Sequence, residues 1–175
     1  MLYDKNFDYD LDSFKIRQFL NAHSKIAKMG EIVVSNNDES IIGTTGLNTC
    51  YGLVLYDRIN RIGIVGHANP SDAISILHRM LKMVESNDRR LIEYAIVSGY
   101  RNIEKSDYDK LDELHDFLFT YAPKNIKLIP FLTDLQIQVC SNILAYEFAF
   151  NVISGKAVTN LLFLNNNDIY SKKYK

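Results

Sequence analysis

A thiol and an imidazole are the residues of this chain whose spacing could do chemistry. Cys50 opens the run CYGLVLYD (50–57), and His67 stands near the end of RIGIVGHA (61–68). Both runs are apolar and rich in β-formers, and they flank Arg58-Ile59-Asn60, which is the pattern of a β-hairpin. If the hairpin turns at Ile59/Asn60, Cys50 faces Asn69; if it turns one residue earlier, Cys50 faces His67. Either register keeps Cys50, His67 and Asn69 on one face, because side chains alternate with a period of two. Directly opposed Cβ atoms lie about 5 Å apart and diagonal ones about 7–8 Å, within reach of a sulfur and a ring nitrogen. Such a pair can ionise as thiolate and imidazolium near neutral pH, the state in which cysteine is a nucleophile. The competing interpretation is structural. A cysteine in an apolar strand is commonly a small core residue, and reactivity needs access and an electropositive setting.

Other candidates carry less. Cys140 follows a strand-like run and has no histidine in register with it, which makes it a core residue. His23, His78 and His115 fall in helical patterns without carboxylate partners at ladder spacing and read as surface or boundary residues. Asp72 and Glu31 read as an ordinary helix cap and a strand-end charge. Two cysteines without metal-like spacing argue against a zinc site or a disulfide framework. No metal or organic cofactor is therefore expected, and a free thiol points to a reducing, cytoplasmic setting.

The bulk composition agrees. At 175 residues, 47% hydrophobic and 23% charged, the chain has the size and balance of one globular domain with a real core. A formal net charge of -1 gives no basic footprint for nucleic acid. The opening MLYDKNFDYDLD is acidic and polar, unlike a signal peptide, and no apolar run approaches a membrane span.

These residues must be positioned by neighbouring elements. Residues 11–28 place Leu11, Phe14, Phe19, Leu20, Ile26 and Ala27 near helical spacing, predicting an N-terminal helical extension over 1–28 that covers a sheet face. EIVVS (31–35) and SIIGTTG (40–46) predict strands joined at Asn36-Asn37-Asp38. Ser71-Asp72 opens a helix with the stripe Ala73, Leu77, Met80, Leu81 and Val84. LIEYAIVSG (91–99) is a buried strand. Ser106 caps a second helix whose stripe is Leu111, Leu114, Phe117, Leu118 and Tyr121. IKLIPFL (126–132), LQIQV (135–139), YEFAFNV (146–152) and AVTNLLFL (157–164) are strands, with a turn at Ser154-Gly155 and a polar tail over 165–175. Strands outnumber helices and hairpins dominate, so the expected class is α+β: mostly antiparallel sheet layers with helices packed on them.

GEIVVS (30–35), TTGLNTCYGLVLYD (44–57) and GIVGHANP (63–70) together resemble the CheD family of chemoreceptor glutamine deamidases. That family has a Gly-Glu strand, a threonine six residues before its cysteine, and a histidine 17 residues after it, near a proline. Here Thr44 to Cys50 is six residues, Cys50 to His67 is 17, and Pro70 follows. YEFAFNVISGKAVT (146–159) is similar to the family's closing hairpin. The resemblance covers about residues 29–164, the expected deamidase domain. It implies a CheD-like fold, with Cys50 as nucleophile, His67 as base, and Thr44, or less readily Thr45, holding the imidazole. Backbone N–H groups in the turn of Leu47, Asn48 and Thr49 would stabilise the oxyanion, and Asn69 and Pro70 would shape substrate entry. Asn48-Thr49 stand where the family has Gly-Ser. If that glycine has positive φ, asparagine is the next most tolerant residue. The paired glycines of the family's second half are missing.

The function implied is hydrolysis of a glutamine side chain in a protein, chemoreceptors among the substrates, with a chemotaxis signalling protein as further partner. Two alternatives remain open at this point. One is a deamidase toxin or effector acting on a host protein. The other is a catalytically idle binding module on the same fold.

Overall fold

The computed structural model describes residues 24–35, 41–85, 88–99, 105–130, 143–153 and 156–161. In chain order the strands are β1 (Ser24–Ala27), β2 (Ile32–Val34), β3 (Ile41–Thr45), β4 (Tyr51–Asp57) and β5 (Ile62–Ala68). Helix α1 (Ala73–Val84), β6 (Arg90–Gly99), helix α2 (Lys105–Tyr121), β7 (Ile126–Pro130), β8 (Ile143–Asn151) and β9 (Lys156–Leu161) follow. All strands join one sheet in the order β1-β3-β8-β6-β4-β5-β2, with β7 beside β6 and β9 beside β8. The class is α+β. Antiparallel pairing links β2 to β5, β3 to β8, β4 to β5, β4 to β6 and β8 to β9, while β1–β3, β6–β7 and β6–β8 are parallel.

The hairpin β4–β5 forms as the composition predicts. Asp57 pairs with Ile62, and the connection is the four-residue loop Arg58–Arg61, with Arg61 in the left-handed region at φ 55. Asp57 sets this loop: its carboxylate accepts from the Asn60 backbone N–H at 2.9 Å and the Asn60 side chain at 2.7 Å. Every residue of β4 is buried. A strand flanked by β5 and β6 and covered on both faces needs no polar alternation, which is why YGLVLYD reads as a continuous run.

The two faces of β4 serve two cores. Tyr51, Leu53 and Leu55 pack with Ile64, Ile92 and Ile96 under the stripe Ala73, Ile76, Leu77, Met80, Leu81 and Val84 of α1 and under Leu111, Leu114 and Leu118 of α2. Val54 and Tyr56 face the other way, with Cys50, Val65, Val97, Ile42, Phe148 and Phe150. In sheet order β5 is separated from β3 by β8, β6 and β4, yet the second core brings them together. A Cβ on Gly63 of β5 would stand 2.5 Å from Phe150 Cζ, 2.7 Å from Val152 Cγ1 and 2.8 Å from Ile42 Cδ1. The sheet therefore curls until β3 and β8 lie across β5. The Tyr56 hydroxyl, donating to the Val152 carbonyl at 2.7 Å, and the edge-on Tyr56–Phe150 contact reinforce the closure. On the opposite face of β5, a Cβ on Gly66 would meet Ile76 and Met80 at 2.8 Å, so its absence lets α1 settle on the strand.

Several expectations change. Residues 24–27 are a strand, not the end of a helix, because parallel pairing of Ser24–Ala27 with Ile41–Thr44 satisfies their backbone groups. The remainder of the expected N-terminal helix lies outside the described residues, as do LQIQV, Ser154-Gly155 and the tail 165–175. Strands β2 and β3 do not pair with each other; β2 goes to β5 and β3 lies between β1 and β8. The strands form one curled sheet, mostly antiparallel in its pairing, with both helices packed on it as expected. Helix α2 begins before Ser106, at Lys105. Tyr121 is 61% exposed, and its ring stacks on Phe117 at 4.5 Å instead of entering the core. Among the described residues no helix is long and apolar enough to cross a membrane.

The contact at Gly63 gives a test of the curl. Gly63→Val forces a side chain against three buried side chains, Phe150, Val152 and Ile42. It is expected to destabilise the fold by about 1–3 kcal/mol, measured as a lowered midpoint in urea unfolding.

Candidate active site

The β4–β5 register is the one that turns at Ile59/Asn60: Gly52 faces His67 and Tyr51 faces Ala68, and one further residue sets Cys50 opposite Asn69. Cys50 and His67 are therefore diagonal neighbours on the face of the second core. Gly52, directly opposite the imidazole, carries no side chain, and Thr44 Cγ2 and Leu47 Cδ1 lie only 3.2 Å from where its Cβ would be. Any larger residue there would hold Thr44 and the turn after it away from the hairpin. The His67 backbone is fixed from the other side. Gly30 N–H donates to the His67 carbonyl at 2.8 Å, and His67 N–H donates to the Glu31 carbonyl at 3.0 Å. Gly30 sits at φ 83, which glycine adopts without strain, so the Gly-Glu pair works as a backbone clamp.

Thr44 meets the imidazole because the sheet curls. Its Oγ1 lies 2.8 Å from His67 Nδ1 and 3.0 Å from the Ala27 carbonyl oxygen. A hydroxyl has one proton to donate, and a carbonyl can only accept. Thr44 therefore donates to Ala27, and His67 Nδ1–H donates to Thr44. This arrangement puts the ring proton on Nδ1 and leaves the lone pair on Nε2, the tautomer a general base needs. Nε2 is buried and has no hydrogen-bond partner among the described residues. The role falls to Thr44, fully buried, and not to its half-buried neighbour Thr45.

The electrostatics run against the expected ion pair. Burial pushes the Cys50 thiol above its ordinary value, and the Asp72 carboxylate pushes it further the same way. Burial holds His67 below its ordinary value, against the opposing pull of the Ala27 carbonyl and of Asp72. Both shifts favour the uncharged forms, thiol and neutral imidazole, and no hydrogen bond joins the Cys50 sulfur to His67 Nε2. Cys50 is 8% exposed and His67 4%, a setting in which a preformed ion pair would be poorly solvated.

Cys50 ends the turn Gly46–Cys50 and leads into β4. The left-handed residue is Gly46, at φ 77, and Asn48 does not have positive φ, so its place in the family's glycine position brings no strain. Leu47 is buried in the second core, Asn48 is half-buried and Thr49 exposed. Gly99 of β6 supports the turn from beneath. Its N–H donates to the Cys50 carbonyl at 2.8 Å, and a Cβ there would lie 2.3 Å from the Asn48 carbonyl oxygen. In IVSGYRN a single glycine thus serves a close backbone approach.

Asn69 and Pro70 begin the connection to α1. Pro70 is exposed; Asn69 is half-buried, and its Oδ1 accepts from Ser71 N–H at 2.9 Å, Ser71 Oγ at 2.5 Å and Asp72 N–H at 3.2 Å. Its amide donates to Asp72 Oδ2 at 3.0 Å. Asp72, expected as a plain cap, makes no side-chain cap bond, and its charge reaches both Cys50 and His67. This contribution was missed in the sequence because Ser-Asp before an apolar stripe has a sufficient explanation as a helix start. The Ala27 carbonyl was missed because backbone atoms leave no sequence signal. His78 is exposed and His115 half-buried against Tyr94, both away from the site elements. His23 and Cys140 lie outside the described residues. Among the described residues no three metal-ligating side chains gather.

No family model matches the chain. Over 72 residues, 41% of its length, the chain is 38% identical to 4-hydroxy-tetrahydrodipicolinate reductase of Blochmanniella floridana, and it spans about a quarter (26%) of that protein. A solved structure, the hypothetical protein YfiH of Bacillus licheniformis, aligns at a TM-score of 0.38 and 12% identity, covering 62% of this chain and 60% of that one. Neither likeness assigns a residue of the site.

Two outcomes follow from the geometry. Thr44→Val keeps the shape but leaves Ala27 C=O and His67 Nδ1–H unpaired in the core. It should cost about 1–3 kcal/mol of stability and slow alkylation of Cys50. The alkylation rate of wild-type Cys50 against pH should show no thiolate plateau below neutrality and should climb beyond the ordinary cysteine range, since the raised thiol ionises late. A plateau extending to acid pH would mean an ion pair at rest.

Proposed function

We propose that this chain is a CheD-like, cysteine-dependent protein-glutamine deamidase, acting in the cytoplasm on glutamine side chains, with chemoreceptors as substrates. The observation that carries the reading is the Thr44–His67 hydrogen bond, anchored on Ala27, which leaves Nε2 of a neutral imidazole beside the cysteine strand. Added to it is the resemblance of the Thr44–Cys50–His67 spacing to the CheD family. The contact supports the reading because it orients the ring and leaves Nε2 of His67 without a hydrogen-bond partner among the described residues.

Catalysis begins when His67 Nε2 takes the Cys50 thiol proton as sulfur attacks the side-chain carbonyl carbon of glutamine. The charge that develops on oxygen is met by backbone N–H groups of the Leu47–Cys50 turn. Collapse breaks the C–N bond, and the imidazolium delivers its proton to nitrogen, so ammonia leaves and a thioester remains. Water then gives a proton to Nε2 and adds its oxygen to the thioester. The C–S bond breaks, the proton returns to sulfur, and the product is glutamate. Thr44 keeps the ring in its Nδ1–H tautomer at rest and remains an acceptor when the ring is protonated.

A second reading is favoured by one observation, the burial of Cys50: a CheD-like module that docks a signalling partner without turnover. Ammonia release separates them. Cys50→Ala should abolish it from a glutamine-bearing receptor fragment while circular dichroism and melting stay as in wild type. His67→Ala should reduce it about 10²–10⁴-fold, the contribution of a positioned acid–base group. Wild-type protein that yields no ammonia, and whose Cys50 is not alkylated, leaves the binding module.

A further inference from the structure

Asp72 has one carboxylate oxygen explained and one not. An aspartate that begins a helix ordinarily turns an oxygen back to the second or third N–H of the first turn. Asp72 does not, although its carbonyl accepts the first helical bond from Ile76 N–H at 2.9 Å. Its Oδ2 is taken by the Asn69 amide at 3.0 Å. Oδ1 is closed off from solvent with no hydrogen-bond partner among the described residues. A half-buried carboxylate with an unsatisfied oxygen is costly unless something absent from the free protein completes it. The place is informative. Asp72 belongs to the tight Asn69–Asp72 turn that follows directly on β5, and its charge is felt by both the thiol and the imidazole. Among the described residues His67 Nε2 and Asp72 Oδ1 have no hydrogen-bond partner, nor has Asn48 Oδ1 in the turn before Cys50.

A carboxylate oxygen can only accept, so the group that completes it must bring an N–H or O–H. It also repels an anion, by an amount that grows as water is excluded. We infer that Asp72 Oδ1 is the substrate-reading group of the Cys50 site, accepting an N–H of the scissile primary amide and turning away carboxylates. This assignment rests on the deamidase reading for its substrate class. The amide nitrogen of glutamine carries two hydrogens, one of which can be held while attack proceeds at carbon. The glutamate product has lost that donor and gained a negative charge, so the same oxygen that favours substrate disfavours product. Asn69 acts through Asp72, holding Oδ2 and leaving Oδ1 as the oxygen without a partner. Asp72 exchanges no proton in any step.

Two small electrophiles test this without a protein substrate. Iodoacetamide carries a primary amide, and iodoacetate a carboxylate, on the same alkylating carbon. Rates of Cys50 modification are measured with both by intact-mass spectrometry and divided by their rates with glutathione at the same pH. Wild type should prefer the amide by about tenfold or more beyond glutathione, the discrimination of one hydrogen bond to a charged acceptor. Asp72→Ala should lose the preference, slowing with iodoacetamide and quickening with iodoacetate. Asp72→Asn keeps an acceptor oxygen and loses the charge, so it should quicken with iodoacetate alone. A general disturbance of the turn would move both reagents the same way. A wild-type ratio equal to that of glutathione, or variants with an unchanged ratio, overturns the assignment. Wild type that keeps the ratio yet releases no ammonia from glutamine-bearing protein overturns the deamidase reading instead, leaving Asp72 as an amide-reading group of a site with another reaction.

Discussion

One hydrogen bond sets the rest of this site in order. Thr44 and His67 belong to strands that are not neighbours in the sheet, and their side chains meet at 2.8 Å only because the sheet curls back on itself. The curl is permitted by small residues at the points of closest approach. Gly63 admits Phe150 and Ile42, and Gly52 admits Thr44 and Leu47. Since the Thr44 hydroxyl already donates to the Ala27 carbonyl, it can only accept from the ring. Backbone pairing of β1 with β3 therefore reaches, through one hydroxyl proton, the protonation state of a histidine on β5.

The consequence is a thiol and an imidazole both biased toward their uncharged forms. Burial moves Cys50 up and His67 down, and the Asp72 carboxylate raises both without forming a bond to either that the geometry records. A resting thiolate would be solvated poorly in such a place. In the proposed deamidase, deferring ionisation until a substrate carbonyl is present would couple the appearance of the nucleophile to the presence of its target. The burial that argues for a core cysteine is thus compatible with a base-assisted nucleophile, provided the base is the right tautomer.

Much of this was legible in the residues. The hairpin, the first helical stripe, most of the second and the face shared by Cys50 and His67 follow from periodicity, and the turn chemistry of β4–β5, Asp57 and Asn60, is written beside the strands. What was not legible is non-local. That residues 24–27 form a strand depends on β3 lying alongside, and no pattern in SKIA announces it. That β2 pairs with β5 instead of β3 depends on the curl. Thr44 was placed at the imidazole by spacing from the cysteine in a resemblance, whereas its proton's destination, a backbone carbonyl on β1, needed three-dimensional structure. Asp72 was visible but over-explained, since a helix start accounts for an aspartate before any question of its free oxygen arises.

The central claim is that Thr44 holds His67 as the Nδ1–H tautomer with Nε2 free to take a proton. The direct measurement is nitrogen-15 NMR of the His67 ring at neutral pH, assigned by comparison with His67→Gln. The account predicts a protonated, pyrrole-like Nδ1 and an unprotonated, pyridine-like Nε2, with the tautomer preference weakened in Thr44→Val. A ring protonated on Nε2, or on both nitrogens, would contradict it.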